Sequence, residues 1–103
     1  MEVSIHTNII KNFIKKLGLD DTDNYLRDQL LITSKKVIVT REEIDKIIEL
    51  TKYQDNSDEK LHLKYKLEET KDKLKNLLKK LKATDEMYLC FKSYIKNNNQ
   101  LKY

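Results

Sequence analysis

Residues 60–95, KLHLKYKLEETKDKLKNLLKKLKATDEMYLCFKSYI, set an apolar side chain at every third or fourth position and fill the gaps mostly with lysine. Written as heptads, the first seam position falls on Lys60, Leu67, Leu74, Leu81, Tyr88 and Ile95. The second falls on Leu63, Thr70, Leu77, Thr84 and Phe91. This is the spacing of one amphipathic helix with a single stripe to bury. The heptad phase passes through Ala83-Thr84-Asp85-Glu86 unbroken, and no glycine or proline turns the chain there. The pattern therefore predicts a long basic amphipathic helix over residues 59–96. A helical hairpin is the alternative, because Thr84 and Asp85 can cap a new helix. At 1.5 Å per residue a continuous helix would reach about 57 Å, more than so small a chain can cover.

The flanks of the stripe constrain what could cover it. Lys64, Lys66, Lys71, Lys73 and Lys80 would oppose one another in a parallel homodimer, which biases against that arrangement. The pattern favours a partner with an acidic helix, an antiparallel homodimer, or contact with the more acidic amino-terminal part of the same chain.

Towards the amino terminus, Ile9, Ile10, Phe13, Ile14 and Leu17 fall at helical spacing, and Gly18 suits the left-handed position just past a helix end. Asp20, Asp21, Thr22 and Asp23 can cap a second helix reaching about Leu31. Residues 31–40, LITSKKVIVT, are rich in β-branched side chains and predict a minor β-hairpin turning at Ser34-Lys35-Lys36, or an extended connection. Thr40 and Glu43 have the spacing of a capping box, so a third helix would start there and carry an apolar stripe of Ile44, Ile47, Ile48 and Tyr53. Polar residues 55–58 form the break after a helical unit over 1–54, with Ser57 or Asp58 as the cap beyond it. Residues 97–103 read as a frayed tail. The fold expected is mainly α: three short helices, the minor hairpin, then a long, coiled-coil-like helix.

The bulk properties narrow the function classes. A chain of 103 residues supports one small domain and leaves little room for an elaborate cleft. Charged residues make up 37% and hydrophobic residues 39%, with one glycine and no proline, a mix suited to amphipathic helices. The net charge of +4 is carried almost wholly by lysine, the only arginines being Arg27 and Arg41. Lysine lacks the planar fork with which arginine reads bases and phosphates. The positive excess lies entirely beyond residue 57. Cys90 stands alone, which excludes an intrachain disulfide, and no run of about 18 apolar residues could span a membrane. The chain reads as soluble and intracellular, with cytoplasm and nucleus not distinguished.

Catalytic and metal chemistry find little footing. His6 and His62 are far apart, no cysteine pair exists, and a phosphate-binding glycine loop cannot be built from Gly18 alone. Neither a metal nor a cofactor is expected. The carboxylates Glu42, Glu43, Asp45 and Glu49 read as a solvated face.

The expected function is that of a non-enzymatic small adaptor or complex subunit docking on a partner protein. Leu63, Leu67, Leu74, Leu77, Leu81, Tyr88, Phe91 and Ile95 would carry the contact. The alternative is a nucleic-acid accessory protein in which Arg41, Lys71, Lys73, Lys75, Lys79, Lys80 and Lys82 contact phosphates without reading sequence, or a winged-helix-like DNA-binding unit. An amphipathic helix on an anionic membrane is weaker, because the polar face mixes acids with its lysines.

Overall fold

The computed structural model describes the backbone of residues 2–101 and the side chains of residues 6–97. Its three helices are α1 (Glu2–Leu17), α2 (Leu19–Tyr53) and α3 (Ser57–Leu101), and no strand occurs among the described residues. The chain divides into two compact units. Unit 1 comprises residues 1–32 and 81–103, and unit 2 residues 33–80. Thus α2 and α3 each contribute a segment to both.

The minor β-hairpin is overturned. Residues 31–40 are helical throughout, and the second and third short helices are one 35-residue helix, α2. The β-branched composition costs a helix only a few tenths of a kcal/mol per residue. Against that stands a continuous stripe at three- and four-residue intervals: Thr33, Val37, Thr40 and Ile47 are buried, with Ile44 and Thr51 half-buried. Burial of a helical face outweighs local propensity. Thr40 is therefore no cap. Its hydroxyl donates to the Lys36 carbonyl four residues back, at 2.7 Å, as a threonine inside a helix does. A winged-helix-like reading loses its wing with the hairpin.

Two interruptions are built by local chemistry. Gly18 has φ of 88°, its amide donates to the Ile14 carbonyl at 2.8 Å, and its own carbonyl accepts from the Thr22 amide and hydroxyl. One glycine thus closes α1 and opens α2, and the left-handed conformation expected there is present. At Gln54-Asp55-Asn56 the cap falls on Asn56, one residue earlier than Ser57. Its side-chain oxygen accepts from the amides of Asp58 and Glu59 at 2.9 and 3.3 Å. Past Ala83–Glu86, α3 runs on without a turn, and its backbone continues to Leu101. Of the tail expected to fray, residues 102 and 103 and the side chains of 98–101 lie outside the described residues.

In unit 1 the core is Ile10 from α1, Leu26 from α2 and Phe91 from α3, each exposed by 1% or less, with Ile14, Met87, Tyr88, Cys90 and Ile95 packed around them. In unit 2 the three-residue connection makes residues 33–53 and 57–80 an antiparallel pair, and the stripe of α2 meets that of α3.

Candidate protein-docking surface

The structure gives each residue assigned to partner binding a definite place. Leu63, Leu67, Leu74 and Leu77 belong to unit 2, and Leu81, Tyr88, Phe91 and Ile95 to unit 1. Phe91 is buried and the other seven are half-buried, so none is fully presented to solvent. Of the two heptad rows only Lys60 is exposed. The stripe read from the sequence is the surface along which α3 packs within its own chain.

What solvent meets is a second set of apolar side chains outside the two heptad rows, and Ile48 and Tyr53, expected on the apolar stripe of a third helix, are exposed with it. In unit 2, Ile38, Val39, Leu50, Tyr53, Leu61 and Tyr65 are exposed, Tyr53 by 77% and Tyr65 by 63%. Four of these flank the turn at 54–56: Leu50 and Tyr53 before it, Leu61 and Tyr65 after it. Leu61 and Tyr65 are one turn apart on α3, off the buried stripe, and so share a face. The missed signal was visible in the spacing, since both fall outside the heptad positions while remaining large and apolar.

The candidate phosphate-contacting residues Arg41, Lys71, Lys73, Lys75, Lys79, Lys80 and Lys82 are all exposed. Lys71, Lys75 and Lys79 follow at four-residue intervals along one side of α3, whereas Lys73 and Lys80 fall on the opposite flank of its stripe. Lys73 enters an open groove of unit 2 with a volume of about 460 Å³, lined by Lys35, Lys36, Val39, Thr40 and Leu77 besides Lys73 itself. Its lining is mainly apolar and includes three lysines.

Unit 1 holds a polar clip at its surface. The Arg27 guanidinium donates from Nε to the Tyr88 hydroxyl at 2.7 Å and pairs with Asp23 at 3.0 Å, while the Tyr88 hydroxyl donates to Asp23 Oδ1 at 2.9 Å. Lys92 Nζ lies 5.0 Å from the centre of the Tyr88 ring. The Tyr88 hydrogen bond first, and the Asp23 charge second, raise the Arg27 pKa above its ordinary value. Such a group holds its proton and offers no acid or base at neutral pH. Cys90 is half-buried, its sulfur 3.7 Å from the Thr7 hydroxyl.

Among the described residues no cluster of three or more His, Cys, Asp or Glu side chains is placed to hold a metal ion. None of the helices is long and apolar enough to cross a membrane. No protein-family model, curated protein or solved structure matches the chain.

Proposed function

We propose that the chain is a non-enzymatic, soluble, intracellular helical subunit that docks on a partner protein, and that the docking surface is the turn end of unit 2. The observation that carries this reading is the exposure of Leu50, Tyr53, Leu61 and Tyr65 on both sides of one tight connection. Each such side chain is worth about 1.5 to 3 kcal/mol when fully buried, and tyrosine is enriched at interfaces because it joins apolar area to a polar tip. The stripes of α2 and α3 then act as a coiled-coil-like brace that holds the surface in place. The lysines along α3, among them Lys60 and Lys64, favour a partner with acidic residues at its rim.

The test is co-purification from native extract, with identification of the bound protein, for the wild type and for L61A/Y65A. The double variant should lose the partner while keeping its helicity and melting temperature. L74A/L77A should instead lower the melting temperature and weaken binding only in proportion. Loss of the partner on L74A/L77A in a chain that remains folded, with L61A/Y65A binding normally, would return the docking surface to the seam.

The nucleic-acid reading rests on the exposure of all seven basic residues and the regular spacing of Lys71, Lys75 and Lys79. It requires binding to a labelled duplex that weakens steeply between about 50 and 200 mM salt and is lost in K71E/K75E/K79E. Duplex affinity unaffected by those substitutions would remove it.

A further inference from the structure

Two features of α2 in unit 2 are left unexplained by packing within the chain. Ile38 and Val39 are exposed by 57% and 51%, although β-branched residues add nothing to the propensity of a solvated helix. In the stretch Lys35-Lys36-Val37-Ile38-Val39-Thr40-Arg41-Glu42-Glu43, the charges that share the face of Val39 are symmetric about it, Arg41 lying two residues on and off that face. Lys36 and Glu42 stand three residues either side of Val39, and Lys35 and Glu43 four residues either side. Positions three and four away share a helix face, so Val39 sits between one turn bearing two lysines and another bearing two glutamates. All five side chains are exposed.

We propose that this face of α2 is self-complementary, and that two copies of the chain pair through it antiparallel, with the two-fold axis at Val39. The rotation sets Lys36 against the second copy's glutamate at 42 and Lys35 against its glutamate at 43, and then repeats both pairs with the copies exchanged. Val39 meets Val39 on the axis, as an isologous interface requires. A parallel pairing would bring lysine onto lysine and glutamate onto glutamate, so the charge order selects the antiparallel one. The groove beside this face supplies the second observation. It is lined by Lys35, Lys36, Lys73, Val39, Thr40 and Leu77, an open apolar trough beside the lysine turn, with Glu69 and Asp72 lining the adjoining groove on the α3 side. The second copy's glutamates come in beside Lys35 and Lys36.

A second copy fits better than an unrelated acidic helix because the face is bipolar. A uniformly acidic helix that satisfied the lysine turn would be repelled at Glu42 and Glu43, whereas the symmetric copy satisfies both ends at once. The contact is short, a few helical turns, and below the roughly 1,200 Å² of a standard interface. The pairing is accordingly reversible and weakened by salt. It uses none of the residues proposed for docking at the turn, so either surface can fail without the other.

Sedimentation velocity on the full chain, across concentration and at low and high salt, reads the pairing directly. Dimer should form at high concentration and recede as salt rises. K35E/K36E and E42K/E43K should each weaken self-association at least tenfold. Mixing the two should restore a dimer, because every opposed pair is then again of unlike charge, and this rescue excludes misfolding as the cause of the loss. In a C90S background, V39C should oxidise readily to a cross-linked dimer, since residues on the axis come within disulfide reach. D45C, away from this face, should not. A chain that stays monomeric at millimolar concentration would overturn the proposal. So would a dimer indifferent to both charge reversals, or cross-linking at D45C as fast as at V39C.

Discussion

Unit 1 and unit 2 bury the same kind of amphipathic stripe with different numbers of helices. Where α1, α2 and α3 meet, Ile10, Leu26 and Phe91 fall to 1% exposure or less. Where only α2 and α3 face each other, the side chains that fall to 1% are the smaller Thr33 and Thr40, Val37 and Ile47 remain 5% and 4% exposed, and Leu63, Leu67, Leu74 and Leu77 stay half-buried, as Leu81, Tyr88 and Ile95 do in unit 1. A helix pair can cover a strip about one side chain wide, and water reaches both of its edges. A third helix closes one edge and turns a strip into a core. The largest side chain that is fully enclosed, Phe91, lies in unit 1.

The largest test of that contrast is truncation of one seam residue in each unit. Phe91→Ala should cost about 3 to 5 kcal/mol, the range for a buried aromatic whose cavity cannot collapse. Leu74→Ala, half-buried, should cost about 1 to 2 kcal/mol, roughly half of full burial. Urea denaturation gives both values, and native-state hydrogen exchange shows where protection is lost. Equal losses would mean that the third helix adds no enclosure.

A smaller effect is expected at the junction of α1 and α2. An added Cβ at Gly18 meets nothing within 4 Å, so the penalty is conformational alone. Gly18→Ala should cost about 1 kcal/mol because φ of 88° is unfavourable for any residue with a side chain, and asparagine should cost less. Thermal melting of the two variants checks the order. If alanine is tolerated freely, α1 can dock without this turn.

Tyr88→Phe comes next, at about 1 kcal/mol for the loss of one hydroxyl that accepts from Arg27 and donates to Asp23. Exchange protection should fall in unit 1 only. The raised pKa of Arg27 should drop back towards its ordinary value, but the guanidinium stays charged throughout the range in which the chain folds, so the change carries no pH dependence near neutrality.

These residues also show how far the sequence was legible. The stripe of α3 was readable because heptad spacing over five turns or more is a strong periodic signal, and Gly18 because only one backbone conformation suits a lone glycine at a helix end. The unity of α2 was obscured by a local signal. LITSKKVIVT is strand-like by composition, yet Thr33, Val37 and Thr40 continue the period of Leu26 and Leu30 and lead into Ile44 and Ile47. Composition averages over both faces of a helix, whereas burial acts on one. The exposed apolar set proposed for docking was obscured for a different reason. A regular apolar stripe on a lysine-rich helix looks the same whether its cover is another protein or α2, and Leu61 and Tyr65 attract notice only once that cover is in place.

The smallest expected effect tests what the buried threonine hydroxyls of unit 2 contribute. Thr40 and Thr70 are 1% and 8% exposed, and each hydroxyl donates to the carbonyl four residues back on its own helix, Lys36 and Lys66, at 2.7 Å. Those carbonyls already accept the main-chain amides of the helix, so the hydroxyl bonds satisfy a buried polar group without joining α2 to α3. Thr70→Val keeps the shape, removes the hydroxyl and adds a buried methyl. It should raise the unfolding free energy by about 0.5 to 1 kcal/mol, read as a higher urea midpoint with no loss of helicity. The paired variant T40V/T70V should gain more. A loss of stability on Thr70→Val would show instead that the hydroxyl shapes α3 through its carbonyl bond, and that unit 2 depends on the helix path it sets.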